Sequence, residues 1–169
     1  MISFTRKTDY ALVALARLAQ QQQQGGDPLS ARAIAGEFGL PLQLLMSLMK
    51  RLHRSGIIHS NRGARGGYFL ARQPARISIA DVVESIEGPA RLAPCCSDEP
   101  QGGQCLMCNL TDRCPITGAI REMNGRIAQF LHEVTLETLL SAAEHKSKLP
   151  RVAKQGRHNT VELSIGRSR

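Results

Sequence analysis

The sequence predicts a mainly α-helical protein with a small β-wing, in which a winged helix-turn-helix domain is followed by a long dimerisation helix. Three observations predict this fold class: two short helical segments joined at a glycine, two short apolar strands around a basic turn, and a long apolar repeat further along. Four segments follow: the winged helix-turn-helix domain (1–88), a cysteine-rich loop (89–114), the dimerisation helix (115–144) and a basic tail that we expect to be disordered (145–169).

The first helix is predicted over residues 5–19, where apolar residues recur at helical spacing. Its shared face carries Leu12, Leu15, Ala16 and Ala19, with Ala11 and Leu18 beside it. The glutamine run 20–24 and the Gly-Gly-Asp-Pro stretch after it interrupt this pattern, although the glutamines can also prolong the helix.

A helix-turn-helix outline comes next. Ser30 is a favourable N-cap for a short helix over residues 31–38, and Gly39 allows a tight turn after it. Pro41 suits the first turn of a second helix, and Gly56 suits the position just beyond its end. The buried face of this second helix is predicted to carry Leu45, Leu48, Met49 and Leu52.

A two-stranded wing is predicted directly after the helix pair. Residues 57–60 and 68–71 have the composition of short strands, and residues 61–67 form a basic turn between them. Arg62 and Arg65 lie at the tip of this turn, whose glycines allow positive φ or a close backbone approach.

Two more helices complete the outline. Ser78 caps the first, with Asp81 placed as its capping-box partner, and Gly88 ends it. Its buried stripe is Ile79, Val82, Val83 and Ile86. One long helix is then predicted from Pro115 to Ala143, with a stripe of Ile116, Ile120, Met123, Ile127, Phe130 or Leu131, and Val134. That stripe is longer than one small domain needs, so it suggests a dimer helix, and packing onto its own domain is the alternative.

The charge of the chain is unevenly distributed. The formal net charge is +8, but residues 1–72 hold ten Lys and Arg against three Asp and Glu, residues 73–144 hold five against ten, and residues 145–169 hold seven against one. A basic first module favours binding to a polyanion, and solvated surface charge is the simpler alternative.

Composition disfavours several classes of protein. No apolar run approaches the roughly 18 to 20 residues of a membrane span, and the N-terminus lacks the pattern of a signal peptide. We therefore expect a soluble, cytoplasmic protein with no membrane partner, in which stable disulfides are disfavoured and the cysteine count of five is odd. An enzyme is not expected, because no βαβ pattern surrounds Cys105-x2-Cys108 and no catalytic constellation is evident.

Polar residues of the helix pair and wing are placed where a winged helix contacts double-stranded DNA. The second helix presents its first turns to the major groove, where Gln43 can pair with adenine. Cations further along the helix suit phosphates, and a wing arginine can enter the minor groove. The candidate DNA-binding residues are Ser30, Gln43, Ser47, Lys50, Arg51, Arg54, Arg62 and Arg65. The alternative for each is the solvated face of an amphipathic helix or turn.

All the cysteines lie in the stretch "CCSDEPQGGQCLMCNLTDRC". Only Cys105-x2-Cys108 has the spacing usual for structural zinc. Vicinal Cys95 and Cys96 rarely bind one ion together, and His132 lies too far along the predicted helix to be an obvious partner. Iron–sulfur clusters tolerate irregular spacing, but thiolates bind zinc and copper(I) as well. The spacing by itself therefore leaves an iron–sulfur cluster and zinc equally open.

Four stretches of the chain carry a family resemblance: "FTRKTDYALVALARLA", "SARAIAGEFGLPLQLLMSLMKRL", "SGIIHSNRGARGGYFLAR" and "ISIADVVESIEG". They resemble the family of iron–sulfur-sensing winged-helix transcriptional regulators, from about Ile2 to Ala143, with the cysteine loop in the family's place. The resemblance implies a homodimer that binds a palindromic promoter site in double-stranded DNA, with Arg62 in the minor groove.

The resemblance also implies an iron–sulfur cluster, 2Fe–2S or 4Fe–4S, in the cysteine loop. In this family the last two ligands are often five residues apart, which matches Cys108 and Cys114. The first ligand is then Cys96 or Cys95. Cys105 departs from the family pattern, and it either replaces a ligand taken from elsewhere or is a spare thiol. The predicted ligand set is Cys96, Cys105, Cys108 and Cys114.

Asp9 matches a ligand that nitric-oxide sensors of this family take from the partner's first helix, whereas an exposed acid in a first helical turn is the simpler interpretation. The sequence thus predicts a DNA-binding transcriptional regulator of repressor type, whose DNA affinity is controlled by a cluster sensing iron, redox, oxygen or nitric oxide status. The alternative is a winged-helix regulator whose cysteine loop is a thiol-redox switch or a zinc site.

Overall fold

A computed structural model describes residues 4–63, 66–93, 96 and 113–148, with side chains described as far as Ala142. Its elements in order are α1 (Arg6–Gln23), α2 (Ala31–Phe38), α3 (Leu42–Arg54), β1 (Ile58–Asn61), β2 (Gly67–Leu70), a 3-10 turn (Pro74–Arg76), α4 (Ile79–Glu87), α5 (Thr117–Glu133) and α6 (Leu136–Lys148). The predicted fold class, mainly α-helical with a two-stranded wing, is confirmed.

Helix α1 is the centre of the core, since it packs against α3, α4, α6 and β2. It is longer than predicted because the glutamine run continues it to Gln23. Its most buried apolar residues are Ala11, Ala14, Leu15, Leu18 and Ala19. The predicted face was therefore rotated too far, since Leu12 and Ala16 are only half-buried. Because α1 has packing neighbours on several sides, its buried face is centred nearer to Ala11 and Leu15 than the sequence predicted.

The helix-turn-helix forms as predicted. The Ser30 Oγ accepts a hydrogen bond from the Ala33 backbone N–H at 3.1 Å, and α2 ends at Gly39 with φ 64°. Pro41 occupies the N-cap of α3, one position earlier than predicted. The predicted buried face of α3 is confirmed, with Leu45, Leu48, Met49 and Leu52 all at most 2% exposed. Gly56 lies beyond the helix end with φ 69°.

The wing is anchored to the segment that precedes α2. Strands β1 and β2 pair antiparallel, with Ile58 opposite Leu70. On the other edge of β2, Tyr68 exchanges two backbone hydrogen bonds with Leu29, of 2.8 and 3.1 Å. Gly67 permits this approach, because a Cβ there would lie 2.7 Å from the Leu29 carbonyl carbon.

The single long helix predicted from Pro115 to Ala143 is wrong, because the chain forms two helices, α5 and α6. Between them an extended segment pairs with the start of α4: the Ile79 N–H donates to the Val134 carbonyl and the Leu136 N–H to the Ile77 carbonyl, both at 2.8 Å. Thr135 then caps α6, accepting from the Thr138 N–H at 3.3 Å. These pairings across the chain replace the helical hydrogen bonds that a continuous helix would need.

Helix α4 carries the predicted capping box, in which Ser78 Oγ accepts from the Asp81 N–H and the Asp81 carboxylate accepts from the Ser78 N–H. Of the predicted tail, residues 145–148 belong to α6, and residues 149–169 lie outside the described residues. Among the helices that the structure describes, none is long and apolar enough to cross a membrane.

Candidate DNA interface and cysteine site

A groove of about 430 Å³ lies where the N-terminal ends of α2 and α3 face the wing. Its lining includes Ser30, Arg32, Leu42, Met46, Asn61 and Arg62. Two of the sequence candidates, Ser30 and Arg62, therefore meet at one surface although they are far apart in the chain. Arg32 and Asn61 were not among the sequence candidates, and the groove places them beside Ser30 and Arg62.

The exposed side of α3 adjoins this groove. Four candidates lie on it at spacings of four, three and four positions, which places them along one line of the helix: Gln43, Ser47, Lys50 and Arg54. All four are exposed, on the side opposite the buried face. This line therefore presents one amide, one hydroxyl and two cations on a single surface of α3.

The wing contributes a cation beside the groove. Arg62 follows β1 directly and is exposed. Arg65, predicted to lie at the same tip, is outside the described residues.

Arg51, also predicted to contact DNA, is exposed as well, and its guanidinium has a partner on α4. Its Nη1 donates a hydrogen bond to the backbone carbonyl of Ile86, in the last turn of α4. This contact holds the guanidinium against the end of α4, beside the line of exposed candidates. Sequence reasoning missed this partner because it is 35 positions further along the chain.

The C-terminal end of α4 is also joined to α1. The Glu87 Oε1 accepts from the Thr5 N–H at 3.2 Å, from the Thr5 hydroxyl at 2.7 Å and from the hydroxyl of buried Thr8. Partial burial acts to raise the pKa of Glu87, but the hydrogen bonds from Thr8 and Thr5 outweigh it and hold that pKa below its ordinary value.

The first described cysteine, Cys96, is buried against α5. It is 8% exposed, and its Sγ lies 3.9 Å from the Ile120 carbonyl oxygen. Nearby, the Leu92 N–H donates to the Asn124 Oδ1 at 2.9 Å. These contacts hold part of the segment that follows α4 along the side of α5.

The second described cysteine, Cys114, lies just before the N-terminus of α5 and is half-buried. Hydrogen bonds from the Thr117 side chain and the Ile116 backbone lower the pKa of its thiol. A lowered pKa favours the thiolate, which is the form that binds metals and reacts with oxidants.

The remaining predicted ligands, Cys105 and Cys108, lie outside the described residues, as does Cys95. Within the described part of the chain, no three His, Cys, Asp or Glu side chains are grouped closely enough to hold a metal ion. Asp9, the other candidate ligand, is exposed in the first turn of α1.

A cavity of about 460 Å³ lies between α4 and α5, next to Cys96. Its lining includes Glu84, Asn124 and His132. Sequence reasoning set His132 aside as too distant from the cysteine loop, but the turn of the chain after α4 brings His132 and Cys96 to one cavity.

Helix α5 has an apolar stripe that is only partly covered. Ile127, Leu131 and Val134 pack with α4 in a small second cluster of the core. At the edge of the same stripe lies an outer line of residues, Ile116, Met123 and Phe130, which follow one another at seven-residue spacing and are 57%, 52% and 61% exposed. Such a line of large exposed side chains is unusual on a surface that stays in water.

Comparison with known proteins is consistent with this architecture. A family model described as Rrf2, an iron-dependent transcriptional regulator, matches residues 4–142. The HTH-type transcriptional regulator IscR of Xenorhabdus nematophila is 33% identical over 141 residues, which cover 83% of this chain and 80% of the relative.

Two solved structures share the fold. CymR, the global cysteine regulator of B. subtilis, has a TM-score of 0.63 and 26% identity, with 84% of this chain and 98% of CymR covered. IscR of T. potens has a TM-score of 0.63 and 26% identity, with coverages of 89% and 94%.

Proposed function

Since this chain belongs to the Rrf2 family of transcriptional regulators, we propose that it binds a palindromic promoter site in double-stranded DNA as a homodimer, under the control of a metal cluster at its cysteines. The observation that carries the proposal is the groove shared by Ser30, Met46 and Arg62, next to the exposed line of α3. The helix-turn-helix and wing meet there on a basic module.

In this proposal α3 enters the major groove. Gln43 in its first turn offers an amide that can pair with adenine, while Lys50 and Arg54 neutralise phosphates further along. Arg62, and Arg65 beyond the described residues, reach the adjacent minor groove from the wing. Base discrimination then comes mainly from Gln43, and most of the affinity comes from the cations.

The homodimer would form through the outer line of α5. Ile116, Met123 and Phe130 are spaced as the seam residues of paired helices, and a second copy of the chain offers the same line. Burying them against each other would fix the separation of the two α3 helices, which a two-fold symmetric DNA site requires.

The cysteine residues fit an iron–sulfur cluster held by Cys96, Cys105, Cys108 and Cys114. The lowered pKa of Cys114 favours the thiolate that a cluster needs, and Cys96 is shielded from water against α5. A bound 2Fe–2S or 4Fe–4S cluster would supply a centre that responds to iron, redox state, oxygen or nitric oxide. The protein's part is to hold Cys114 at the end of α5 and Cys96 on its side, so that ordering of the loop affects the dimer helix.

A second candidate keeps the DNA binding and makes the loop a thiol switch. The similarity to CymR, a global cysteine regulator, favours it, and so does the lowered pKa of Cys114. The two candidates differ in what the thiols hold, not in how the chain meets DNA.

Anaerobic purification with iron and sulfide analysis separates these candidates. If the chain binds a cluster, we expect the purified protein to contain stoichiometric iron and sulfide. Cys114→Ser should lose both, whereas Cys95→Ser, which lies outside the predicted ligand set, should keep them. We also expect the loaded and chelated proteins to differ in affinity for a DNA duplex that the chain selects from a random pool. A colourless protein without iron, whose DNA affinity follows thiol oxidation, would favour the switch instead.

A further inference from the structure

We propose that Arg51 is a positioning residue that couples the cysteine-bearing segment to the recognition helix α3, and that it is not a phosphate contact. The inference deepens the proposed function and rests on it. Through this one side chain, the position of α3 would depend on the position of the end of α4. The cysteine loop begins at that same end.

The first support is the partner of Arg51. The Ile86 carbonyl that accepts its hydrogen bond is one of the last four carbonyls of α4, which have no hydrogen-bond donor within the helix. A cation at this end also interacts favourably with the helix dipole. Arg51 thus joins the recognition helix to a fixed point on α4, and Lys50 and Arg54 lie on the exposed line of α3 beside it.

The second support is that the same end of α4 is held on another side. Glu87, the neighbour of Ile86, accepts hydrogen bonds from Thr5 and Thr8 at the start of α1. The last turn of α4 is therefore a junction between α1 and α3, formed by one side-chain carboxylate and one backbone carbonyl.

The third support is the path of the chain after this junction. Gly88, with φ 88°, redirects the backbone immediately after Glu87. The segment that follows is held to α5 where Leu92 meets Asn124 and where Cys96 lies against Ile120. A change in how the cysteines are held would therefore act on the end of α4 first. Arg51 would pass it to α3, in addition to the apolar packing of Ile86 in the shared core.

The test compares Arg51→Met with Lys50→Met, an identical substitution at the adjacent position. Binding to the selected duplex is measured over a range of salt concentrations, for the anaerobically loaded protein and for the chelated protein. We expect Lys50→Met to weaken both forms equally and to reduce the slope of log K against log salt by about 0.9, the value for one lost phosphate contact. Arg51→Met should leave that slope unchanged.

The decisive quantity is the ratio of DNA affinities between the loaded and chelated forms. We expect Arg51→Met to reduce this ratio at least threefold, and Lys50→Met to leave it at the wild-type value. Arg51→Lys, which keeps the charge but not the planar fork, should give an intermediate ratio, and it serves as the test if Arg51→Met does not fold.

Each other outcome overturns the inference. A salt slope that falls in Arg51→Met as it does in Lys50→Met would make Arg51 a phosphate contact. If the loaded and chelated forms of the wild-type chain differ in DNA affinity and Arg51→Met leaves that ratio unchanged, only the coupling role of Arg51 is overturned. Failure of the wild-type chain to select any DNA, or equal affinities of its two forms, would overturn the proposed function and this inference together.

Discussion

The DNA-binding module and helix α5 differ in how completely one chain buries them. In the module, α1 to α4 share one core, in which Leu15, Leu45 and Leu52 are fully enclosed. In α5 only Leu131 is buried, while Met123 and Phe130 are more than half exposed. The core of the module is therefore enclosed within one chain, with Leu136 and Leu140 of α6 added to it, whereas the outer line of α5 is left exposed.

The largest expected effect is on the core of the module. Leu52→Ala on α3 removes a fully buried side chain and should lower the free energy of unfolding by about 2–5 kcal/mol, because it loses apolar burial and leaves a cavity. Urea denaturation measures the loss. Met46→Ala on the same helix is the control, since Met46 is 38% exposed and should cost less than about 1 kcal/mol. Equal losses would mean that this core is not what stabilises the module.

The next effect should appear in association and not in folding. Phe130→Asp places a charge at the C-terminal end of the outer line of α5 and should raise the dissociation constant of the dimer at least a hundredfold, or about 2.7 kcal/mol. Sedimentation equilibrium measures it, and the helical content should not change because Phe130 is 61% exposed.

Gln129→Asp is the matched control for this experiment. It adds the same charge to the neighbouring position, which points away from the outer line at the helical angle of about 100° per residue. A dimer weakened equally by both variants, or by neither, would contradict the assignment of this line to the interface.

A smaller effect should separate the wing from the rest of the module. Gly67→Ala forces a Cβ to within 2.7 Å of the Leu29 backbone, so β2 must move away, at a cost of about 1–3 kcal/mol and with weaker DNA binding. Gly36→Ala, inside α2 with open space around it, should instead stabilise by about 0.5–1 kcal/mol. Thermal unfolding and DNA titration together measure both; a neutral Gly67→Ala would show that the wing is not held by Leu29.

The smallest effect concerns the end of α4. The folded state lowers the pKa of Glu87, so its carboxylate stabilises the fold above the ordinary value of about 4.3, and this stabilisation is lost as the pH falls below that value. Glu87 is exposed, so we expect less than about 1 kcal/mol. Urea unfolding of the wild type and Glu87→Gln should differ more at pH 7 than at pH 3.5. A difference independent of pH would show that the charge is not involved.

The contrast between the two regions also explains what the sequence could predict. The Ser78–Asp81 capping box, the turn at Gly39 and the end of α3 at Gly56 depend on residues a few positions apart, and all were predicted correctly. The break between α5 and α6 was not, because Val134 leaves the helix to pair with Ile79, far earlier in the chain. The hydrogen bond of Arg51 to the Ile86 carbonyl was not predicted for the same reason.

The candidate site shows the same limit. Exposure of the α3 candidates follows from helical periodicity, and was predictable from the buried stripe alone. The groove that joins Ser30 to Arg62 depends on the pairing of Leu29 with Tyr68, which no local pattern records. The cavity shared by Cys96 and His132 likewise requires the return of the chain after Gly88.

The paired segment between α5 and α6 has a mechanical consequence. It fixes the C-terminal end of α5 to the start of α4. A rotation of α5 relative to α4 would therefore pivot near Thr135. The helix has 17 residues and is roughly 25 Å long, so a rotation of about 5° about this pivot would move its N-terminal end by about 2 Å. Cys114 lies next to that N-terminal end. A change at its thiol would therefore act on α5 at the greatest distance from the pivot.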